Sequence, residues 1–460
     1  MKNWLLVVGL LVISTLLQAQ IISGPMVGPT YLRNADIWVS VHPGGAKTTL
    51  EYWPVDKPQL KKAASLGAPG PGEDTNPMQQ RILKFLCAPL EPATAYAYRL
   101  THTTQARQIQ QRLGSFKTPM LWQWRTDAPD VTFLAGSCNY VNEPPFDRPG
   151  KPYGLDSSIY QSMAAEKADL MLWLGDNWYT REIDYANRYG LWYRALHDRA
   201  APILQPLLAN TPNLAIWDDH DFGPNDYAFS YIHKEESRKV FNALWLNPSS
   251  GHQNQGIYTR YQLADVDFFL MDDRWWRSFD EMADSINGQP NPDKLMWGKQ
   301  QLAWLKEELR ISQRNRFINF RVIATGSQVL NPVSPWDRMR AFPAEYFDFI
   351  NFLREEKIEG IVFLTGDRHH SEIIKVQEPG LYPLYDVTSS PLTSGTHVFD
   401  GPEKDNPYRV VGVDRFQNYA RIQVTGPRNG RKLHIAFKGL KGEVLAEYAI
   451  EAAILKVPKG

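Results

Sequence analysis

The sequence predicts a small antiparallel β-sandwich followed by a larger α/β core, and three observations carry that expectation. From Ile21 to about Arg125, short segments alternate apolar and polar residues between turn signals. From Asp130 the rhythm changes to short apolar runs separated by helical patterns, as in sheets covered by helices. Nearly every apolar run of this second region leads directly into a cluster of carboxylate, imidazole or thiol side chains. The chain has 460 residues, room for two to three domains at roughly 150 residues each. The expected division is a leader over 1–19, a sandwich over 20–125 and a second domain over 126–460.

Residues 1–20 read as an export signal: Lys2 gives the positive start, Leu5 to Leu17 is the apolar stretch, and cleavage after Ala19 leaves Gln20 first. That stretch is too short to span a bilayer, and no second run approaches the ~18 apolar residues of a transmembrane helix. The expectation is an exported protein, periplasmic or secreted, of bacterial type. Composition agrees with a folded domain: 43% hydrophobic and 22% charged residues exclude a polytopic membrane protein and a wholly disordered chain. Lys+Arg and Asp+Glu balance at 50 each, so there is no bulk attraction to nucleic acid or anionic lipid. Two cysteines, Cys87 and Cys138, make no disulfide framework; either they pair or one has another task.

The sandwich strands begin with the alternating segments Ala35 to Val41 and Thr48 to Trp53, continued by Arg81 to Phe85. Leu90-Glu91-Pro92-Ala93-Thr94-Ala95-Tyr96 leads into a strand ending near Leu100 and resembles the late hairpin of a fibronectin type III domain. Ser115 to Pro119 closes the set, and the Pro/Gly-rich stretch from Leu66 to Pro77 is a long loop inside it. Cys87 follows Phe85-Leu86 and reads as a core position.

In the second region Val131 to Ala135 is a buried strand, and Asp156-Ser157 caps a helix running to about Lys167. Further strands are Leu170 to Leu174, Asn213 to Trp217, Val266 to Met271, Arg321 to Thr325 and Gly360 to Thr365. Trp297 to Ile311 and Ala344 to Glu356 are helical, and Arg421 to Ile450 returns to sheet. The strand ends carry Gly136-Ser137-Cys138-Asn139, Gly175-Asp176-Asn177-Trp178-Tyr179, Asp218-Asp219-His220-Asp221 with Asn225, Asp272-Asp273-Arg274, and Gly366-Asp367-Arg368-His369-His370. Loops at the carboxyl ends of strands converge on one crevice in such sheets, so these five clusters are expected around a single site. Each also has a plain structural reading. Gly-Asp is often only a turn, Cys138 a small core residue, and Asp272-Asp273-Arg274 a surface ion pair. Three neighbouring carboxylates at 218, 219 and 221 are harder to dismiss, because a cation or arginines must offset their repulsion.

In order and content these clusters resemble the PhoD-type alkaline phosphatases and phosphodiesterases of the metallophosphoesterase superfamily. The resemblance implies a four-layer α/β/β/α catalytic domain behind the fibronectin-like sandwich, and a mixed site of ferric iron with calcium. It implies metal ligation by Cys138, Asp176, Tyr179, Asp219, Asn225, Asp367 and His369. A thiolate and a phenolate suit trivalent iron, and the oxygen donors suit calcium. His220 is the expected proton donor or oxyanion stabiliser, and Arg274 the clamp on a phosphate oxygen. The implied reaction is in-line displacement at phosphorus by a metal-activated hydroxide. Its substrates would be small phosphoric esters, possible phospholipid or polymer diesters among them; the choice of monoester or diester, and the oligomeric state, stay open. The family type carries a C-terminal helix over its site, whereas the tail here reads as β, so gating by such a helix is not expected. Arg274-Trp275-Trp276-Arg277 fits either the cleft lining or the core. The rival reading from another class is a catalytically inactive exported protein that binds carbohydrate or a partner through its 15 Trp and 21 Tyr residues.

Overall fold

Alternation in the N-terminal segments produces two antiparallel four-stranded sheets in the computed structural model, which describes residues 20–68 and 76–457. The leader reading, and most of the loop between Leu66 and Pro77, lie outside the described residues. One sheet orders Ile21–Thr30, Ala35–Val41, Arg81–Cys87 and Ser65–Leu66; the other orders Lys62–Ala63, Gly45–Pro54, Ala95–Thr104 and Ile109–Lys117. Along Ala95–Thr104 every second residue is buried, so Tyr96, Tyr98 and Leu100 point into a core shared with Val27, Ile37, Val39 and Phe85. The hydroxyl of Tyr96 accepts from the backbone N–H of Glu91 at 2.9 Å, tying the turn to the strand that follows.

Cys87 is fully buried in that core, and burial followed by the neighbouring Asp36 pushes its thiol up. Both cysteines are free. Cys87→Ala is therefore expected to cost only the ~1–3 kcal/mol usual for a core change. Denaturant unfolding checks this, and activity should be unchanged.

The sandwich is docked firmly on the rest of the chain. Trp38 Nε1 donates to the Ala243 carbonyl at 2.8 Å, and the Tyr98 hydroxyl donates to that of Ala209 at 2.8 Å. Met26, Trp38 and Ile82 belong to the larger core beyond the sandwich.

That larger core lies between two mixed sheets. In the first, Val131–Gly136, Leu170–Leu174 and Asn213–Ile216 run parallel, and Tyr419–Thr425, Lys432–Lys438 and Val444–Glu451 extend it antiparallel. In the second, Val266–Leu270, Phe320–Thr325, Ile361–Thr365 and Leu384–Thr388 run parallel, flanked by Thr259–Leu263, Ser371–Val376 and Arg409–Val413. Parallel strands buried on both faces read as unbroken apolar runs, as Leu170–Leu174 does. The sheets meet where Phe133 packs edge-on against Phe268, with ring centroids 5.1 Å apart. Helix Pro343–Glu355 lays Phe349 against Phe363 of the second sheet, and helix Ile159–Ala165 lays Tyr160 against Trp173 of the first.

The tail expected to be sheet is sheet, ending in a short 3₁₀ turn at Ala452–Ile454. The helix expected from Asp156-Ser157 starts later, at Ile159, because the Asp156 carboxylate accepts from Ser158 N–H in a turn of its own. Among the described residues no helix is long and apolar enough to cross a membrane.

Candidate metal centre

All five clusters come together, because every parallel strand runs the same way and its carboxyl end delivers a loop to one crevice. Cys138 follows Val131–Gly136, Asp176 follows Leu170–Leu174, Asp218 and Asp219 follow Asn213–Ile216, and Asp367 follows Ile361–Thr365. Three groups of donor atoms converge to within 4.8 Å: Cys138, Asp176 and His369; Asp176, Asp219 and His220; and Asp218, Asp219 and Asp367. Asp176 and Asp219 each belong to two of the three, so the groups form one continuous cluster. Beside it lies a cleft of about 950 Å³, lined among others by Tyr179, Asp219, His220, Asn225, Asp367 and His369.

The backbone is strained where the donors sit. Cys138, Asp176, Asp367 and His369 have φ of 63°, 51°, 67° and 56°, the left-handed region that non-glycine residues avoid at a cost of order ~1–3 kcal/mol each. Such strain persists only where surrounding contacts impose it. Close approach also demands glycine: a Cβ on Gly326 would lie 2.5 Å from the Asp218 carboxylate and 2.8 Å from that of Asp273.

The three neighbouring carboxylates have three distinct partners. Asp221 turns inward and accepts from the backbone N–H groups of Asn177 at 2.8 Å and Asp218 at 3.0 Å, and burial pushes its carboxyl up to about 8. Asp218 accepts from Arg274 Nε at 2.5 Å. Asp219 accepts from Asp226 N–H at 2.7 Å through one oxygen, and its other oxygen is buried with no hydrogen-bond partner. Burial opposes ionisation of Asp219, yet His220 and Arg274 hold it below the usual carboxylate range. For Asp176, burial and the surrounding Asp219, Asp221 and Asp367 push the carboxyl well up.

Cys138 is fully buried, with Sγ 3.6 Å from an Asp176 oxygen and accepting from the Ser390 hydroxyl at 3.1 Å. Burial, then Asp176 and Asp367, pushes its thiol well above the usual value. The Tyr179 hydroxyl lies 3.3 Å from His369 Nε2, while His369 Nδ1 meets the Gly395 carbonyl at 2.5 Å. Burial, then His397 stacked 4.6 Å away, lowers the His369 imidazole to about 3, so it is neutral and a competent donor. The doublet thus divides: His369 joins Cys138, while His370 turns to Glu372 and Glu403. Those two carboxylates are already engaged by Arg409 at 2.7 Å and Arg368 at 2.8 Å.

Arg274, expected as a phosphate clamp, is fully buried beneath the carboxylates, bonded to Asp218, 3.2 Å from Asp337 and 3.8 Å from Asp219, with Nη1 left without a hydrogen-bond partner; the contacts it makes are to carboxylates. Asp272-Asp273-Arg274 is not a surface ion pair, since all three are buried. Asn225 lines the cleft, but its amide donates to the neighbouring Asp226. Trp275 stacks on Trp217 with centroids 6.4 Å apart, so the tryptophan pair belongs to the core. Arg274→Met should cost about 3–5 kcal/mol, because it leaves Asp218 buried and unpaired, and Asp218→Asn in the same chain should recover much of the loss. Denaturant midpoints of the two variants check this.

Sequence reasoning missed Asp337, which accepts from both Arg274 and Arg277, and also Tyr153, Ser390 and His397. None of them follows a strand whose apolar run is readable.

A mixed α/β fold whose strands deliver buried thiol, imidazole and carboxylate donors to one cleft is that of the metallophosphoesterases. The chain belongs to the PhoD-like phosphatase family, whose model matches residues 137–409. It is 23% identical over 402 residues to alkaline phosphatase D of Bacillus subtilis (strain 168), covering 73% of this chain. The aligned part spans 63% of that relative's length. Among solved structures it resembles PhoD with a TM-score of 0.68 at 19% identity, covering 93% of this chain and 88% of that one. It also resembles the purple acid phosphatase PPD1 from yellow lupin (Lupinus luteus) seeds, with a TM-score of 0.66 at 13% identity, over 93% and 74% of the two chains.

Proposed function

We propose that this protein is an exported, metal-dependent phosphoric-ester hydrolase of the alkaline phosphatase and phosphodiesterase kind. The observation that carries the reading is the continuous donor cluster, with buried carboxylate oxygens on Asp218, Asp219 and Asp273 that no protein group satisfies, at the wall of a large cleft. Buried carboxylate oxygens without donors are costly, and one arginine, Arg274, is shared between Asp218 and Asp219, so a cation would offset the remaining charge.

Cys138, Asp176, Tyr179 and His369 would hold ferric iron, for which thiolate and phenolate are apt donors. Asp176, Asp219, Asn225 and Asp367 would hold calcium or another divalent ion through oxygen. When bound, the cations supply Lewis acidity at the phosphoryl oxygens and lower the pKa of water. The chain's own residues do the rest. Arg274 positions Asp218 and Asp219 from behind, and His220, on the cleft wall with its ring 4.0 Å from that of Tyr179, would face the leaving oxygen.

The same reading takes 20–125 as a fibronectin type III-like sandwich, supported by the Tyr96 hydroxyl bond to Glu91, and 126–460 as the four-layer catalytic domain. Export rests on the signal read in the sequence. Its substrates would be phosphoric esters, with the choice between monoesters and diesters set by the cleft. Metal analysis of the purified protein, with assays on aryl mono- and diesters, tests the reading. Iron plus a divalent ion and hydrolysis of at least one ester are expected; a metal-free, fully active protein sinks the metal assignment, and no hydrolysis sinks the enzyme.

A further inference from the structure

The cleft is far larger than a phosphoryl group needs. Its ~950 Å³ is at the upper end of the range of about 300–1,000 Å³ that encloses ligands of drug size. Two large rings line it and still face solvent: Trp336 is 68% exposed and Phe279 is 62% exposed. Elsewhere the exposed aromatics of this chain are often covered. Trp124, exposed to 74%, has the Arg316 guanidinium 3.8 Å from its ring and Phe317 at its edge. Trp336 and Phe279 have neither an aromatic nor a cationic partner among the described residues.

The loops that carry them are nonetheless tied to one residue. Arg277 is fully buried and clamps Asp280, next to Phe279, with two bonds of 2.8 and 2.7 Å. Of its two further bonds, one of 2.9 Å goes to Asp337, next to Trp336, and the other to Ser327. The Ser334 hydroxyl also donates to the Trp336 carbonyl at 2.9 Å. A buried arginine thus anchors, through the carboxylates of neighbouring residues, the two loops that carry the exposed rings. Anchoring the loops in advance lowers the entropy lost when a ligand covers the rings.

We infer that Trp336 and Phe279 form an aromatic subsite that takes a planar ring on the alcohol retained by phosphorus, making ring-bearing phosphodiesters the preferred substrate class. This rests on the phosphoesterase reading above and adds the specificity of its cleft. Flat, free ring faces match a planar ring better than a flexible chain, since aromatic pairs gain from stacked or edge-to-face geometry. Arg148 and Arg338 line the same cleft without an ion pair to any described residue, which suits an occupant that is anionic beside its ring.

Three substrates with the same leaving group isolate the effect: p-nitrophenyl esters of methyl, octyl and phenyl phosphate. Wild-type holoenzyme should show the lowest KM for the phenyl ester. Trp336→Ala and Phe279→Ala should each raise that KM about 5- to 10-fold, with kcat kept and the methyl ester changed less than about twofold. Trp336→Phe should restore most of the loss. Equal losses on methyl and phenyl esters, or no loss on either, would overturn the subsite. An octyl ester favoured as much as the phenyl, and weakened equally by the variants, would replace ring recognition with a general apolar surface. Hydrolysis of p-nitrophenyl phosphate but of none of the three diesters would overturn the subsite and leave the phosphoesterase reading standing, whereas hydrolysis of none of the four would overturn that reading as well.

Discussion

Cys138→Ala is expected to lower turnover by at least about a thousandfold, the effect of losing roughly 4 kcal/mol of transition-state stabilisation, and to leave the protein without iron. The expectation comes from the surroundings of the sulfur. Cys138 is fully buried at a left-handed backbone position, its sulfur beside an Asp176 carboxylate oxygen and the Asp367 carbonyl. Burial and the negative charges of Asp176 and Asp367 oppose a thiolate there, and the hydroxyls of Ser137 and Ser390 offset this only in part. A cation reverses that balance, because metal ligands bind in their deprotonated forms and metal affinity is thereby coupled to the ligand's ionisation. Iron content, the visible absorbance of thiolate and phenolate bound to ferric iron, and kcat should fall together. Cys87→Ala is the matched control, a free buried cysteine in the other core that should keep all three. Full activity in Cys138→Ala, or a Cys87–Cys138 disulfide in active protein, would remove Cys138 from the centre.

What could be read in the sequence followed from strand geometry. A parallel strand is short, apolar and buried on both faces, so its end is visible wherever a run such as Leu170–Leu174 meets Gly175-Asp176. Once those ends are marked, their convergence follows from the common direction of the strands. The direction of each side chain does not. Adjacency placed Asp218, Asp219 and Asp221 together, but only the three-dimensional fold sends one to Arg274, one to the cleft and one to backbone N–H groups. The hold of Arg274 on Asp218 and Asp337 was hidden for the same reason: a motif names a charge but not the face it turns to. The strands Ser371–Val376, Leu384–Thr388 and Arg409–Val413 complete the second sheet and were not read at all. With them went Ser390 and His397, which a loop after Leu384–Thr388 brings back to Cys138 and His369. Asp337 comes from a stretch without periodicity, and only its two arginine partners reveal its place.

His220→Ala is expected to reduce kcat by roughly 10²–10⁴-fold, the scale of a group that assists proton movement in the transition state. His220 lies in the four-residue helix Asp219–Phe222, its backbone N–H is 3.4 Å from an Asp176 oxygen, and its ring lies against that of Tyr179 on the cleft wall. Its Nδ1 is buried and has no hydrogen-bond partner. Burial, helped by Arg274 and opposed by Asp219, holds the imidazole below its ordinary pKa, so at neutral and alkaline pH the ring is uncharged. An uncharged imidazole carries one N–H, which in the proposed role would stabilise charge on the leaving oxygen through a hydrogen bond. An alkoxide develops more charge and needs that bond more than a nitrophenolate does. The loss should therefore be larger for alkyl than for aryl esters of the same phosphate. His220→Asn keeps an N–H donor without a titrating ring, and should recover part of the alkyl-ester rate if hydrogen bonding is the role. Metal content measured on the same preparations separates this from ligation, because Asp176, Asp219 and His220 share one group of donor atoms. Metal retained with kcat lost assigns His220 to the transition state, metal lost in step with kcat makes it a ligand, and unchanged kcat on both esters takes it out of the reaction.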